Sequence, residues 1–195
     1  EAAVVVTVVG VASVFGARRQ CLGAGLIGAA VEGVVVWRVG WAPAVPAFLF
    51  LGAVGTVASL IDLRTRRIPN ALLWPSYPLG AALLALASAA GDRWGMLGRA
   101  GIAMGLVAGF YLVLALGVPG QLGMADVRLG GLLGLFVGWL GWPELAASVL
   151  AGWLLASLAV AWGRARRRSE DAQRSRPIPL GPYLCLGALV AIGVR

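Results

Sequence analysis

Two aspartates stand where this apolar chain turns basic. Asp62 ends the run FLFLGAVGTVASLI and opens DLRTRRIPN (62–70), while Asp126 follows LVLALGVPGQLGMA and opens DVRLGG. A carboxylate in apolar surroundings is costly, so each placement calls for a reason. Two carboxyl groups brought together share one proton, because like charges in contact cannot both ionise. One of them then activates a water and the other polarises a carbonyl, the minimum equipment of an aspartic peptidase. Taken singly, each has a plainer explanation as an interfacial aspartate paired with a nearby arginine, Arg64 or Arg66 for Asp62 and Arg128 for Asp126. Glu32 lies inside another apolar run, where insertion scales charge roughly 2.5–3.5 kcal/mol for a central Asp. Three readings stay open for it: a direct role, a protonated carboxyl, or a pair with Arg38. The other acidic residues, Glu1, Asp92, Glu144, Glu170 and Asp171, fall at the chain start or between apolar runs and read as solvated.

The elements that must position these groups follow from composition. The 195 residues are 60% hydrophobic and only 12% charged, with a mean hydropathy of +0.89, too little polar surface for a soluble domain. Long apolar runs joined by short arginine-bearing links predict an all-α, polytopic protein embedded in the lipid bilayer as one membrane domain over 1–195. Eight segments are expected, roughly 2–17, 21–37, 45–61, 70–90, 97–118, 127–142, 145–163 and 179–194. The sixth is the weakest, being short, glycine-rich and bounded by Pro143. Alternation of eight spans puts RRQ (18–20), DLRTRR (62–67), the 119–128 link and RARRRSEDAQRSR (164–176) on one side. That side carries twelve of the sixteen arginines and the other side four, which assigns the first to the cytoplasm and both termini to the outside. Asp62 and Asp126 then sit at the same cytoplasmic membrane boundary. Glycine ridges at 101/105/109 and 130/134/138 predict close helix packing.

Composition also excludes several classes. All sixteen basic residues are Arg, and there is no His, which removes the usual zinc ligand and the usual neutral-pH base. No metal and no cofactor are expected. Arginine clusters flanking apolar helices are an ordinary topology signal, so the high pI does not point to nucleic acid. Cys21 and Cys185 are far apart, in no CxxC arrangement, and read as packing residues. The first apolar run has no basic stretch ahead of it, which argues against a cleaved signal peptide.

Three motifs carry a family resemblance: DLRTRRIPN (62–70), GMADVRLGGLLG (123–134) and IPLGPYLCLGA (178–188). In this order they resemble the prepilin peptidases, polytopic aspartic peptidases of the GxGD group. Asp62 through Asn70, with Pro69, resembles the family's first signature. Gly123, Asp126, Arg128 and Leu129 resemble its GxGD-basic-Leu signature, and Gly181 and Pro182 its Gly-Pro pair. The likeness covers roughly 45–195, a peptidase-like core, with 1–44 contributing two leading segments. It implies Asp62 and Asp126 as catalytic residues, and cleavage of a type IV prepilin or pseudopilin precursor at the cytoplasmic boundary of the bacterial inner membrane. Two departures stand out. Ala125 replaces the second Gly of GxGD, which would be a constraint if a left-handed backbone were needed there. The cysteine-rich module of the bifunctional members, placed between the first two helices, is here only RRQ, so the likeness implies cleavage without N-methylation.

Helix polarity suggests roles for the pair. Asp62 at a helix C-terminus would hold the shared proton and Asp126 at a helix N-terminus would begin as the base, although the arginines beside Asp62 act the other way. Pro69 stops the preceding helix, Asn70 can cap the next, and Pro119, Gly120 and Gly123 allow irregular backbone before Asp126. Two other functions use the same residues: a cation- or proton-coupled carrier with intramembrane aspartates, and an inactive scaffold of the peptidase fold, which Ala125 keeps in play.

Overall fold

A computed structural model describes residues 18–39, 42–65, 68–117, 122–166 and 180–194. Among them are seven α-helices: α1 (Arg18–Val39), α2 (Val45–Thr65), α3 (Asn70–Ala90), α4 (Trp94–Gly117), α5 (Met124–Leu140), α6 (Trp142–Arg166) and α7 (Gly181–Val194). They correspond one for one to the second through eighth apolar segments; the first, 2–17, lies outside the described residues. Four are long and apolar enough to cross a membrane: α2, α3, α4 and the Trp142–Gly163 part of α6. The protein is a helical membrane protein.

The weakest of the expected segments turns out to be the centre of the bundle. Every residue of α5 from Leu129 to Leu140 is buried. A helix that is apolar on all sides finds partners on all sides, and here the partners are helices, so α5 need not have the length of a lipid-facing span. Its glycine ridge supplies the close approach. A β-carbon at Gly134 would lie 2.9 Å from the Ala103 carbonyl and 3.1 Å from the Val107 side chain, and one at Gly130 would run into Tyr111. Ala100, Ala103, Val107 and Tyr111 form the buried face of α4 that fills this ridge. The other ridge behaves differently. Among the described residues, Gly101, Gly105 and Gly109 have nothing within 4 Å of a would-be β-carbon, so their expected packing is not made there. The reason is geometric: α4 turns its alanine-rich face to α5 and its glycine face outward.

On another side of α5, Phe136 and Trp139 meet Phe48 of α2 edge-on, with ring centroids 6.0 and 6.1 Å apart. The Trp139 indole N–H donates to the Ser88 hydroxyl of α3 at 3.0 Å, satisfying a polar atom in the apolar core. The far end of α5 is closed by Arg99 of α4. Its guanidinium donates to the carbonyls of Gly138, Trp139 and Leu140 at 2.8, 2.7 and 3.0 Å. Those carbonyls belong to a helix C-terminus, where intrahelical donors run out and a cation also complements the dipole.

Candidate active site

Four helix ends meet at the opposite end of α5: the last turn of α2 and the first turns of α3, α5 and α7. Asp62 stands in the last turn of α2 and is 5% exposed. Its Oδ2 accepts the backbone N–H of Gly181, the first residue of α7, at 3.1 Å. The approach leaves no room for a side chain, since a β-carbon at Gly181 would sit 2.8 Å from that oxygen and 3.4 Å from Ile68. Pro182 follows at the second position of α7, where the missing N–H has no intrahelical partner to lose.

Asp126 is the third residue of α5 and half-buried. Its Oδ2 accepts the N–H of Gly123 at 3.1 Å, which ties the helix start back onto itself. Gly123 is extended, with φ −83° and ψ 150°. The Asp62 and Asp126 carboxyl groups act on each other electrostatically, and Cys185 of α7 feels Asp62 as Tyr111 feels Asp126. Two carboxyl groups separated in sequence by two whole helices thus share one electrostatic neighbourhood. Each has one oxygen held by a backbone N–H at or beside a helix N-terminus. Helix polarity therefore does not distinguish them as the isolated α2 and α5 termini suggested.

Ala125 occupies the second position of α5. Among the described residues Asp92 (φ 49°) is the non-glycine with positive φ, so Ala125 has the ordinary negative φ of a helix. No left-handed backbone is required there, and Ala fits the position where the resemblance has Gly.

Arg128 is engaged from α3. Its guanidinium donates to the Asn70 side-chain carbonyl and lies over the Trp74 ring, 5.9 Å from the centroid. Its backbone carbonyl accepts the Tyr77 hydroxyl at 2.6 Å. Asn70 is therefore not the cap of its helix. Pro69 holds the cap position, with φ −68° and ψ 135°, no side-chain cap bond forms, and Asn70 faces α5 instead. Trp74 and Tyr77 were not among the residues singled out from sequence. The signal was available in their spacing, since Asn70, Trp74 and Tyr77 fall at i, i+4 and i+7 on one helical face.

Glu32 lies apart from this cluster. Its Oε1 is 3.1 Å from where a β-carbon would stand on Gly52 of α2. Its Oε2 is buried with no partner among the described residues. The pair with Arg38 is not formed; Arg38 lies over the neighbouring Trp37 ring, 4.7 Å from the centroid. Pro119, Gly120 and Arg66 fall outside the described residues.

A sequence profile of the type IV leader peptidase family matches residues 48–162, a stretch that contains both Asp62 and Asp126. Among curated proteins, the chain is 28% identical over 162 residues to the prepilin leader peptidase/N-methyltransferase of Stutzerimonas stutzeri, covering 83% of this chain and 54% of that one. To the protein of that name from Pseudomonas aeruginosa it is 29% identical over 164 residues, covering 84% and 54%. To that from Burkholderia pseudomallei it is 27% identical over 162 residues, covering 75% and 47%. The chain thus spans about half the length of these relatives. No solved structure gives a significant match.

Proposed function

This chain belongs to the type IV leader peptidase family, and from that premise we propose that it is an aspartic endopeptidase. Its substrates are type IV prepilin or pseudopilin precursors, cut between a basic leader and an apolar membrane helix. The cut is made at the cytoplasmic boundary of the bacterial inner membrane, in the service of pilus assembly or protein secretion. The observation that carries the reading is the placing of Asp62 and Asp126 at the neighbouring ends of α2 and α5, each with one carboxylate oxygen held by a glycine N–H at a helix start.

The chemistry follows from that pairing. The two carboxyl groups hold one proton between them, because ionising both in a water-poor site is unfavourable. The ionised partner takes a proton from a water placed between them while the protonated one donates to the scissile carbonyl oxygen. Attack of the water oxygen on the carbonyl carbon gives a neutral gem-diol. Its collapse breaks the C–N bond, one carboxyl delivering a proton to the leaving amine while the other, ionised, takes a proton from a diol hydroxyl, which restores the single shared proton. Gly181 and Gly123 each fix one carboxylate oxygen, which orients the pair before substrate arrives. Arg128 acts as a strut, joining the start of α3 to the start of α5 through Asn70, Trp74 and Tyr77. Methyl transfer is not part of the proposal, because the link between the first two apolar segments, RRQ, has no room for a separate module.

The test is reconstitution into lipid vesicles with a prepilin carrying its leader. Wild type releases the leader, and Asp62→Asn and Asp126→Asn each reduce release to background. Release that survives either substitution rules out the dyad; none from wild type points to an inactive scaffold.

A further inference from the structure

We propose that the furrow between α1, α2 and α7 is the seat of the substrate's apolar helix, a site that rests on the peptidase reading. The furrow has room of about 200 Å³ and is walled by Val31 and Val35 of α1, Ser59 and Leu63 of α2, and Pro182 and Leu189 of α7. Its lining is almost wholly apolar, as a lipid-embedded partner requires.

Position identifies the occupant. At one end the walls are Leu63 and Pro182, the residues that directly follow Asp62 and Gly181. Cys185, also in the wall, is near enough to Asp62 to interact with it electrostatically. At the other end the lining reaches Gly52 and Ile192. Gly52 lies ten residues before Asp62 on α2, about 15 Å at the helical rise. The furrow therefore starts next to Asp62 and runs lengthwise along α2 toward the opposite end of the bundle. A peptidase that cuts at the end of an apolar helix needs this arrangement: a groove for the helix that begins next to a catalytic carboxyl. About ten residues of helix span such a length, and a room of about 200 Å³ takes the few side chains on the face of that helix turned toward it. Thr56 and Ser59 keep the α2 wall low along its length, which suits a helix laid against it, while Gly52 and Gly55 are already packed against Glu32 and Cys185 of this chain.

Two measurements test this. In the first, a benzophenone amino acid replaces Leu186, which lines the furrow and is 46% exposed, or Leu154 on α6, which is 70% exposed and away from it. The host is the Asp62→Asn/Asp126→Asn chain, so cleavage is not required. Illumination with a reconstituted prepilin gives a crosslink from position 186 into the apolar helix and none from 154. Equal crosslinking from both positions, or crosslinking from 186 only to lipid or to residues 1–17 of the same chain, overturns the proposal. A crosslink at 186 together with a wild-type chain that cleaves nothing keeps the furrow and removes the peptidase. In the second, Leu60→Trp and Leu186→Trp fill the furrow from opposite walls. KM for the precursor rises about tenfold in each while kcat holds, the mark of lost binding alone. An unchanged KM in both folded variants overturns it as well.

Discussion

At Gly181 the space for a side chain is taken by the Asp62 carboxylate. A β-carbon there would stand 2.8 Å from the bonded oxygen, and the backbone N–H that holds this oxygen belongs to the same residue. Gly181→Ala therefore pushes Asp62 away from the N–H that orients it. A displacement of this kind lowers kcat on the order of 100-fold, and leader release measured at saturating precursor reads it directly. A wild-type kcat would show that the Gly181 contact is dispensable. Ala125 is the converse case. Its backbone is helical, so restoring the family's glycine removes a good helix former and opens no conformation the site needs. Ala125→Gly keeps full activity and loses up to about 1 kcal/mol of stability, seen as a lower unfolding midpoint in detergent. These two positions mark how far single residues could be read. Asp62 and Asp126 were legible because charge in apolar sequence is costly wherever it occurs. The real partner of Asn70 was not, since a cap and an interhelical contact call for the same amide. Only the approach of Arg128, from the other side of two helices, decides between them.

Among the elements, α5 is where sequence and structure differ most in emphasis. Shortness and glycine content made it the least convincing span, and the same two properties let it occupy the middle of the bundle. Periodicity found both glycine ridges with equal strength, because a four-residue spacing says which residues share a face but not what that face meets. The contrast can be measured. Gly134→Ala places a methyl against the Ala103 carbonyl and Val107, and overpacking of that kind costs about 1–3 kcal/mol. Gly105→Ala adds a methyl in open space and is neutral or slightly stabilising, since Ala is the better helix former. Unfolding of the two variants in mixed micelles separates them; equal loss in both would mean that α4 turns a different face to α5. Arg99 and Arg128 bracket the same helix. One closes its C-terminal carbonyls and the other ties its N-terminal turn to α3, so the first turn bearing Asp126 is fixed from both ends.

Over the whole molecule, the contacts sort the helix ends into two sets. The Asp62–Gly181 and Arg128–Asn70 bonds bring the C-terminal end of α2 and the N-terminal ends of α3, α5 and α7 together at one end of the bundle. The α3–α4 link at 91–93 and the turn at Gly141, close to the carbonyls held by Arg99, lie at the other. By the alternation of spans read from the sequence, the side that bears Asp62 and Asp126 carries twelve arginines and the other side four. The proposed orientation follows from retention of arginine in the cytoplasm: it directs the carboxyl pair inward, where the leader of a precursor would still lie before export. The orientation is read with single cysteines in a chain whose Cys21 and Cys185 are serine. Asp92→Cys, exposed in the α3–α4 link, reacts with a membrane-impermeant maleimide on intact spheroplasts. Gly123→Cys, exposed beside Asp126, reacts only after the membrane is opened. The reverse pattern would place the pair on the outer face, out of reach of a cytoplasmic leader. The dyad would then be a hydrolytic centre for proteins already across the membrane.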